Sequence, residues 1–137
     1  MDDCFGVWKG TRRQLESFIK EMNDEQKGII LEKEIEEDGV LNFLDMRITR
    51  TREGKFVTSW FQKDCAAGIY CHKRSDVDEG TKVNFIRNME ERINMINMEE
   101  GQKEKDLERL WEQLKGNGYG DQDRKRSTRK RKENKEK

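Results

Sequence analysis

The sequence predicts an α+β fold: a small antiparallel sheet with one packed helix, followed by a helical hairpin and a disordered basic tail. Three observations predict it. Residues 29–61 alternate apolar and polar side chains between turn signals, the two-residue period of a sheet with one wet face. Residues 12–23 and 79–115 space their apolar side chains at three and four, the period of a helix. Beyond residue 120 the apolar side chains run out and Lys and Arg take over, a composition that cannot offset the entropy of ordering.

Each element has a local cause. Cys4-Phe5-Gly6-Val7-Trp8 is a short strand-like apolar run. Thr11-Arg12-Arg13-Gln14 is a capping box, in which side chains satisfy the free amides of a helix start. Leu15, Phe18, Ile19 and Met22 follow as one stripe, suited to packing on a sheet, and the helix ends near Asn23-Asp24. Three strands are expected next. The first, 29–36, puts Ile29, Leu31 and Ile35 on one face. Asp38-Gly39 is a hairpin turn signal leading into 40–51, with Leu44, Met46 and Ile48 in register. Arg52-Glu53-Gly54 then turns the chain into 55–61. Gly68-Ile69-Tyr70 reads as a further strand beside a turn.

From residue 76 the expectation is helical. Asp78 or Thr81 caps a helix striped by Phe85, Ile86, Met89, Ile93 and Ile96. Gly101 is expected to interrupt it before a second helix carrying Leu107, Leu110, Trp111 and Leu114. Gly116, Gly118 and Gly120 close the hairpin. The expected divisions are 1–75, 76–116 and a disordered tail at 117–137.

Composition bounds what such a chain can do. Of 137 residues, 31% are hydrophobic and 42% charged, so the core is thin. The formal charge is zero, yet residues 121–137 hold nine Lys/Arg against four Asp/Glu, leaving 20 basic and 25 acidic side chains in the first 120. A basic tail on an acidic body suits a phosphate-bearing partner or a nuclear address, and equally a solvated tail. Residues 125–132 have the composition of a nuclear-localisation patch. Cys4, Cys65 and Cys71, with His72 nearby, lack the spacing of a zinc site and read as reduced thiols of an intracellular protein. No apolar run approaches the roughly 18 residues of a membrane span, so no membrane is expected, and no small-molecule cofactor is expected either.

Asp2 and Asp3 are the paired carboxylates that invite metal chemistry. Two magnesium ions held by carboxylates clamp the attacking and leaving oxygens of an in-line phosphoryl displacement, and magnesium takes only one or two protein oxygens. Trp8, Trp60 and Trp111 are stacking surfaces for bases or, since each lies in an apolar run, core residues.

The order of motifs is more specific than any one of them. Asp2-Asp3-Cys4-Phe5-Gly6-Val7-Trp8, a capped helix, Glu32-Lys33-Glu34-Ile35-Glu36 and the stretch from Leu41 through Phe43-Leu44-Asp45 to Arg50 together resemble the reverse transcriptases of Penelope-like retroelements. Ser59-Trp60-Phe61-Gln62-Lys63, Gly68-Ile69-Tyr70, Lys82, Ile86 and Glu90-Glu91-Arg92 continue the likeness over roughly residues 1–97. The resemblance implies that the chain is a C-terminal palm and thumb fragment of an RNA-directed DNA polymerase, starting inside the Tyr-x-Asp-Asp motif. Asp2 then corresponds to a magnesium ligand and Asp3 to its neighbour. The helix at 12–23 and the strand at 29–36 end the palm, 40–61 lies against the primer, and 76–115 begins the thumb. Lys73, Arg74, Lys82 and Arg87 are the residues expected to neutralise duplex phosphates. The sequence departs from the family in lacking the motif tyrosine and the upstream catalytic Asp. The family's Lys-Pro-Thr is Lys63-Asp64-Cys65, and Val77 replaces a proline. With one carboxylate strand of a two-metal site, the fragment is expected to be inactive alone and to need Mg only as part of an intact enzyme.

A reading of another class is a non-catalytic nucleic-acid-binding module, in which the helical hairpin serves as a helix-turn-helix and the tail adds charge. A third is a pair of protein-interaction helices. The enzyme reading needs Asp2 in a metal site; the module reading does not.

Overall fold

The computed structural model describes residues 3–25, 28–63, 68 and 70–135, with side chains of the last helix as far as Thr128. The order is α1 (Arg12–Glu25), β1 (Val40–Phe43), β2 (Met46–Arg50), β3 (Phe56–Trp60), α2 (Glu79–Ile96), α3 (Glu100–Gly116) and α4 (Asp121–Lys135). The class is α+β, with one three-stranded antiparallel sheet in the order β1-β2-β3.

Turn chemistry builds the sheet. Asp38 and Gly39 both have positive φ (50° and 77°), as a two-residue primed turn demands, and Glu37 and Val40 exchange hydrogen bonds of 3.0 and 2.9 Å across it. The expected strand over 40–51 is in fact two strands. Leu44 turns left-handed (φ 54°), and Asp45 at the turn accepts the Phe61 amide at 2.8 Å and pairs with Arg92. Those partners hold a turn that Leu44 does not itself encode. At the other end Gly54 (φ 78°) turns β2 into β3, which pair from Met46↔Trp60 to Arg50↔Phe56. Alternation then sends Ile48 and Trp60 to the buried face.

The sheet is covered by α2 and α3. Asp78 caps α2 by accepting the Thr81 amide at 2.9 Å. The stripe expected of α2 buries Ile86 and Ile93 fully, with Phe85, Met89 and Ile96 partly covered. Leu110, Trp111 and Leu114 of α3 meet them, joined by Trp60 and Tyr119. The break between the helices lies at 97–99, not at Gly101, which is inside α3. The sheet edge explains the shift. Thr58 donates to the Ile96 carbonyl at 2.5 Å and its own carbonyl takes the Met98 amide at 3.2 Å, satisfying groups that a helix end leaves open.

The N-terminal part departs further from expectation. The capping box of α1 forms, with the Thr11 amide on Gln14 Oε1 at 2.8 Å and the Gln14 amide on Thr11 Oγ1 at 3.3 Å. Yet α1 buries no residue fully, and Phe18, 45% exposed, tilts against Trp8 instead of a sheet. Residues 4–8 and 29–36 join no strand ladder. Asn23 takes the Leu31 backbone through both its amide atoms (2.7 and 3.1 Å), which occupies the groups a ladder would need. Gly68 and Tyr70 are not strand either; Asn117 holds them through the Gly68 carbonyl (2.7 Å) and the Tyr70 amide (3.0 Å), while Ile69 lies outside the described residues.

The tail expected to be disordered is helical from Asp121 to Lys135 and packs on α2. Its sequence lacks apolar side chains, so the signal for disorder was real; charged and polar partners on the body hold it instead.

Leu110→Ala should lower unfolding stability by about 2–5 kcal/mol, the range for a buried leucine, whereas Ile30→Ala, at a side chain 81% exposed, should stay within about 0.5 kcal/mol. Urea titrations of the two variants check the division between a packed half and an open one.

Candidate nucleic-acid interface

The loop at 71–78 and the start of α4 meet in a cluster of charge. Lys73 is the centre. Its ammonium donates to Glu79 Oε2 at 2.6 Å and Asp123 Oδ1 at 2.8 Å, and lies 5.8 Å from the Tyr119 ring centre. Hydrogen bonds to Asp123 and then Glu79 hold its pKa above the ordinary 10.5. Burial pushes Asp123 up, but the Lys73 ammonium and the Gly120 amide outweigh it and leave the carboxyl below 3.8. Glu79 is lowered by the same lysine.

The other expected phosphate contacts are placed differently from one another. Lys82 is buried, 4% exposed, and donates to the Lys73 and Ser75 carbonyls at 2.8 and 2.7 Å. There it closes the loop against α2 and faces no solvent. Arg87 keeps a side chain 20% exposed, with Nε 3.9 Å from Glu91 Oε1. Arg74 is exposed, with its amide on His72 Nδ1 at 3.1 Å. Lys73 and Arg74 thus sit together at the loop, Lys82 lies beneath them, and Arg87 lies two turns along α2.

Of the paired carboxylates, Asp2 lies outside the described residues, and Asp3 is exposed on irregular backbone. Phe5 tilts on Phe43 with ring centres 5.7 Å apart, so this segment runs beside β1. Among the described residues no three His, Cys, Asp or Glu side chains converge as a metal-holding group.

The sequence reading missed the residues through which α4 enters the cluster. Besides Asp123, Arg124 pairs with Glu108 at 2.6 Å and lies 5.4 Å from the Trp111 ring centre; Arg126 reaches Glu79 at 3.8 Å. Ser127 donates to Glu90 Oε2 at 2.5 Å, and Glu90 Oε1 accepts the Trp111 indole at 2.9 Å. Asp123 and Ser127, four apart on one helix face, were the available signal. A second concave feature, about 360 Å³, lies between the sheet and α3, lined by Arg47, Thr49, Ser59, Asp106 and Arg109 among others. Arg109 stacks on Trp60 at 4.4 Å there. Trp60 and Trp111 are therefore core residues, and Trp8 is half-exposed.

Comparison with protein-family models, with curated proteins and with solved structures finds no match. No helix among the described residues is long and apolar enough to cross a membrane.

Two outcomes test this charge map. Lys82→Met should destabilise by roughly 1–3 kcal/mol, because two carbonyls lose a buried donor, while Arg74→Ala should leave unfolding unchanged. The Lys73 cluster should also set a pH window. The depressed Asp123 and Glu79 contribute stability above their ordinary range and lose it as pH falls through the folded values. The raised Lys73 contributes below 10.5 and loses it as pH rises through its folded value. Protection of α4 amides from hydrogen exchange should therefore be flat between about pH 5 and 10 and fall on either side, with Asp123→Asn weakening the acid limb.

Proposed function

We propose that this chain is the palm-end and thumb portion of a reverse-transcriptase-type polymerase, that it grips a primer–template duplex by its phosphates, and that it does not polymerise alone. The observation that carries the reading is the order of elements. After Asp3 come a capped helix, an antiparallel hairpin system and a helical bundle, in the order that the resemblance to Penelope-like reverse transcriptases implies apart from the strand at 29–36, which joins no ladder. The uneven burial supports it too. Phe5, Val7, Trp8, Phe18, Ile29, Ile30 and Leu31 are exposed together in the N-terminal part, and an apolar surface of that kind fits a palm body packed over it. In an intact enzyme of that kind Asp2 would be the magnesium ligand with Asp3 beside it, and an upstream carboxylate would complete the site. Grip on the duplex is assigned to Lys73 and Arg74 at the loop and to the basic face of α4. Lys82 and Arg87 act behind them by fixing the loop and α2. The patch at 125–132 would serve as a nuclear address.

The three-residue link between α2 and α3 favours one other reading, a non-catalytic helix-turn-helix module. The two differ in what they bind. Fluorescence anisotropy with a labelled RNA–DNA hybrid should show binding at 50 mM salt that weakens steeply by 200 mM, irrespective of sequence. Arg74→Glu should weaken it at every sequence and reduce the salt slope by about one. Preference for one DNA duplex sequence would support the module instead. Absence of binding to any nucleic acid at 50 mM salt would sink both.

A further inference from the structure

α4 is docked without an apolar side chain. Among its described side chains the inward face is Asp123 and Ser127, 7% and 0% exposed, and the flanking grip is Arg124 on Glu108 and Arg126 on Glu79. A helix that is polar all round gains little from burial and lies close to its undocked form. Among the described side chains of α4, Ser127 is the most buried. Its hydroxyl donates to Glu90 Oε2 at 2.5 Å, in a space where Glu90 Oε1 already holds the Trp111 indole.

We propose that Ser127 is a phosphorylation site and that a phosphate there releases α4 from the body. Arg124, Lys125 and Arg126 immediately precede it, a charge pattern that suits a basic-directed serine/threonine kinase. In the docked helix the hydroxyl is fully covered, so the kinase meets it only when α4 is away from the body. In the transfer the γ-phosphoryl group of a nucleoside triphosphate passes to Ser127 Oγ. The Oγ–H proton goes to the kinase's base, the P–Oγ bond forms, and nucleoside diphosphate leaves. The product carries about −1.5 to −2 charge in place of a donor, and its docked position faces the Glu90 carboxylate. A hydrogen bond becomes a like-charge contact in a space without room for it. Release also parts Arg124 from Glu108 and Arg126 from Glu79, and leaves Lys73 with Glu79 alone, so one modification exposes cations of α4 that the docked form neutralises. This inference stands apart from the nucleic-acid reading.

The test treats the full chain with a basic-directed kinase and adenosine triphosphate, maps the phosphate by mass spectrometry, and follows hydrogen exchange of the α4 amides. Phosphate on Ser127 is expected, incorporated faster at high salt, with exchange in α4 accelerated on the order of tenfold. Ser127→Asp should accelerate exchange similarly. Thr128→Asp, at an exposed position of the same helix, should not. Glu90→Gln combined with Ser127→Asp should restore much of the protection, because the amide can donate where the carboxylate repels. Phosphate absent or confined to Thr128 would overturn the proposal. So would unchanged exchange after Ser127 is phosphorylated, or Ser127→Asp and Thr128→Asp behaving alike.

Discussion

Glu90 is buried where α2, α3 and α4 meet, and the orientation of all three helices depends on how its charge is accommodated. A carboxylate removed from water is costly unless its oxygens are taken by donors. Here one oxygen takes the indole N–H of Trp111 and the other the hydroxyl of Ser127. The indole is the largest fully buried side chain of the core, so fixing its direction fixes how Leu110 and Leu114 face Ile86 and Ile93. Ser127 then gives α4 a single seat on α2. The arrangement is asymmetric: Trp111 is also held by apolar contact, whereas nothing apolar on α4 holds Ser127 in place.

Two different forces therefore stabilise neighbouring parts of one bundle. The α2–α3–β3 packing rests on apolar burial, which salt and moderate pH change hardly touch. The docking of α4 rests on ion pairs and one buried hydroxyl, and exposed or half-exposed pairs are individually weak and screened by salt. The bundle is expected to come apart in that order, α4 first and the core afterwards.

Much of the packed half was legible in the sequence, because periodicity and turn chemistry act locally. The Thr11–Gln14 box, the Asp78 cap and the Asp38-Gly39 turn form from residues within one turn of each other, and the α2 and α3 stripes repeat a spacing of three and four along a single helix. What the sequence hid were elements decided from a distance. Leu44 turns left-handed because Phe61 and Arg92 hold Asp45. The helix break falls at 97–99 because Thr58, far off in the chain, caps it. Leu31, in the expected strand at 29–36, gives its backbone groups to Asn23. The α4 helix looked disordered because composition counts the apolar residues it lacks and not the carboxylates waiting on α2 and α3 or Lys73 on the 71–78 loop. Among site residues the same rule applies. Lys82 and Lys73 look alike in sequence, and only the fold separates a buried clamp from a surface cation.

The paired cations also determine what any anionic partner must do. Lys73, Arg124 and Arg126 already hold carboxylates in the docked form, so a phosphate backbone can claim them only by displacing Asp123, Glu108 and Glu79. Binding and docking then compete for the same groups, and the coupling is reciprocal: a ligand that takes these cations loosens α4 by the same factor that α4 docking weakens the ligand. Such exchange raises the positive potential where the loop and the start of α4 meet, because each carboxylate displaced leaves a cation uncompensated. The state of α4 is thus the variable that sets how basic the surface is.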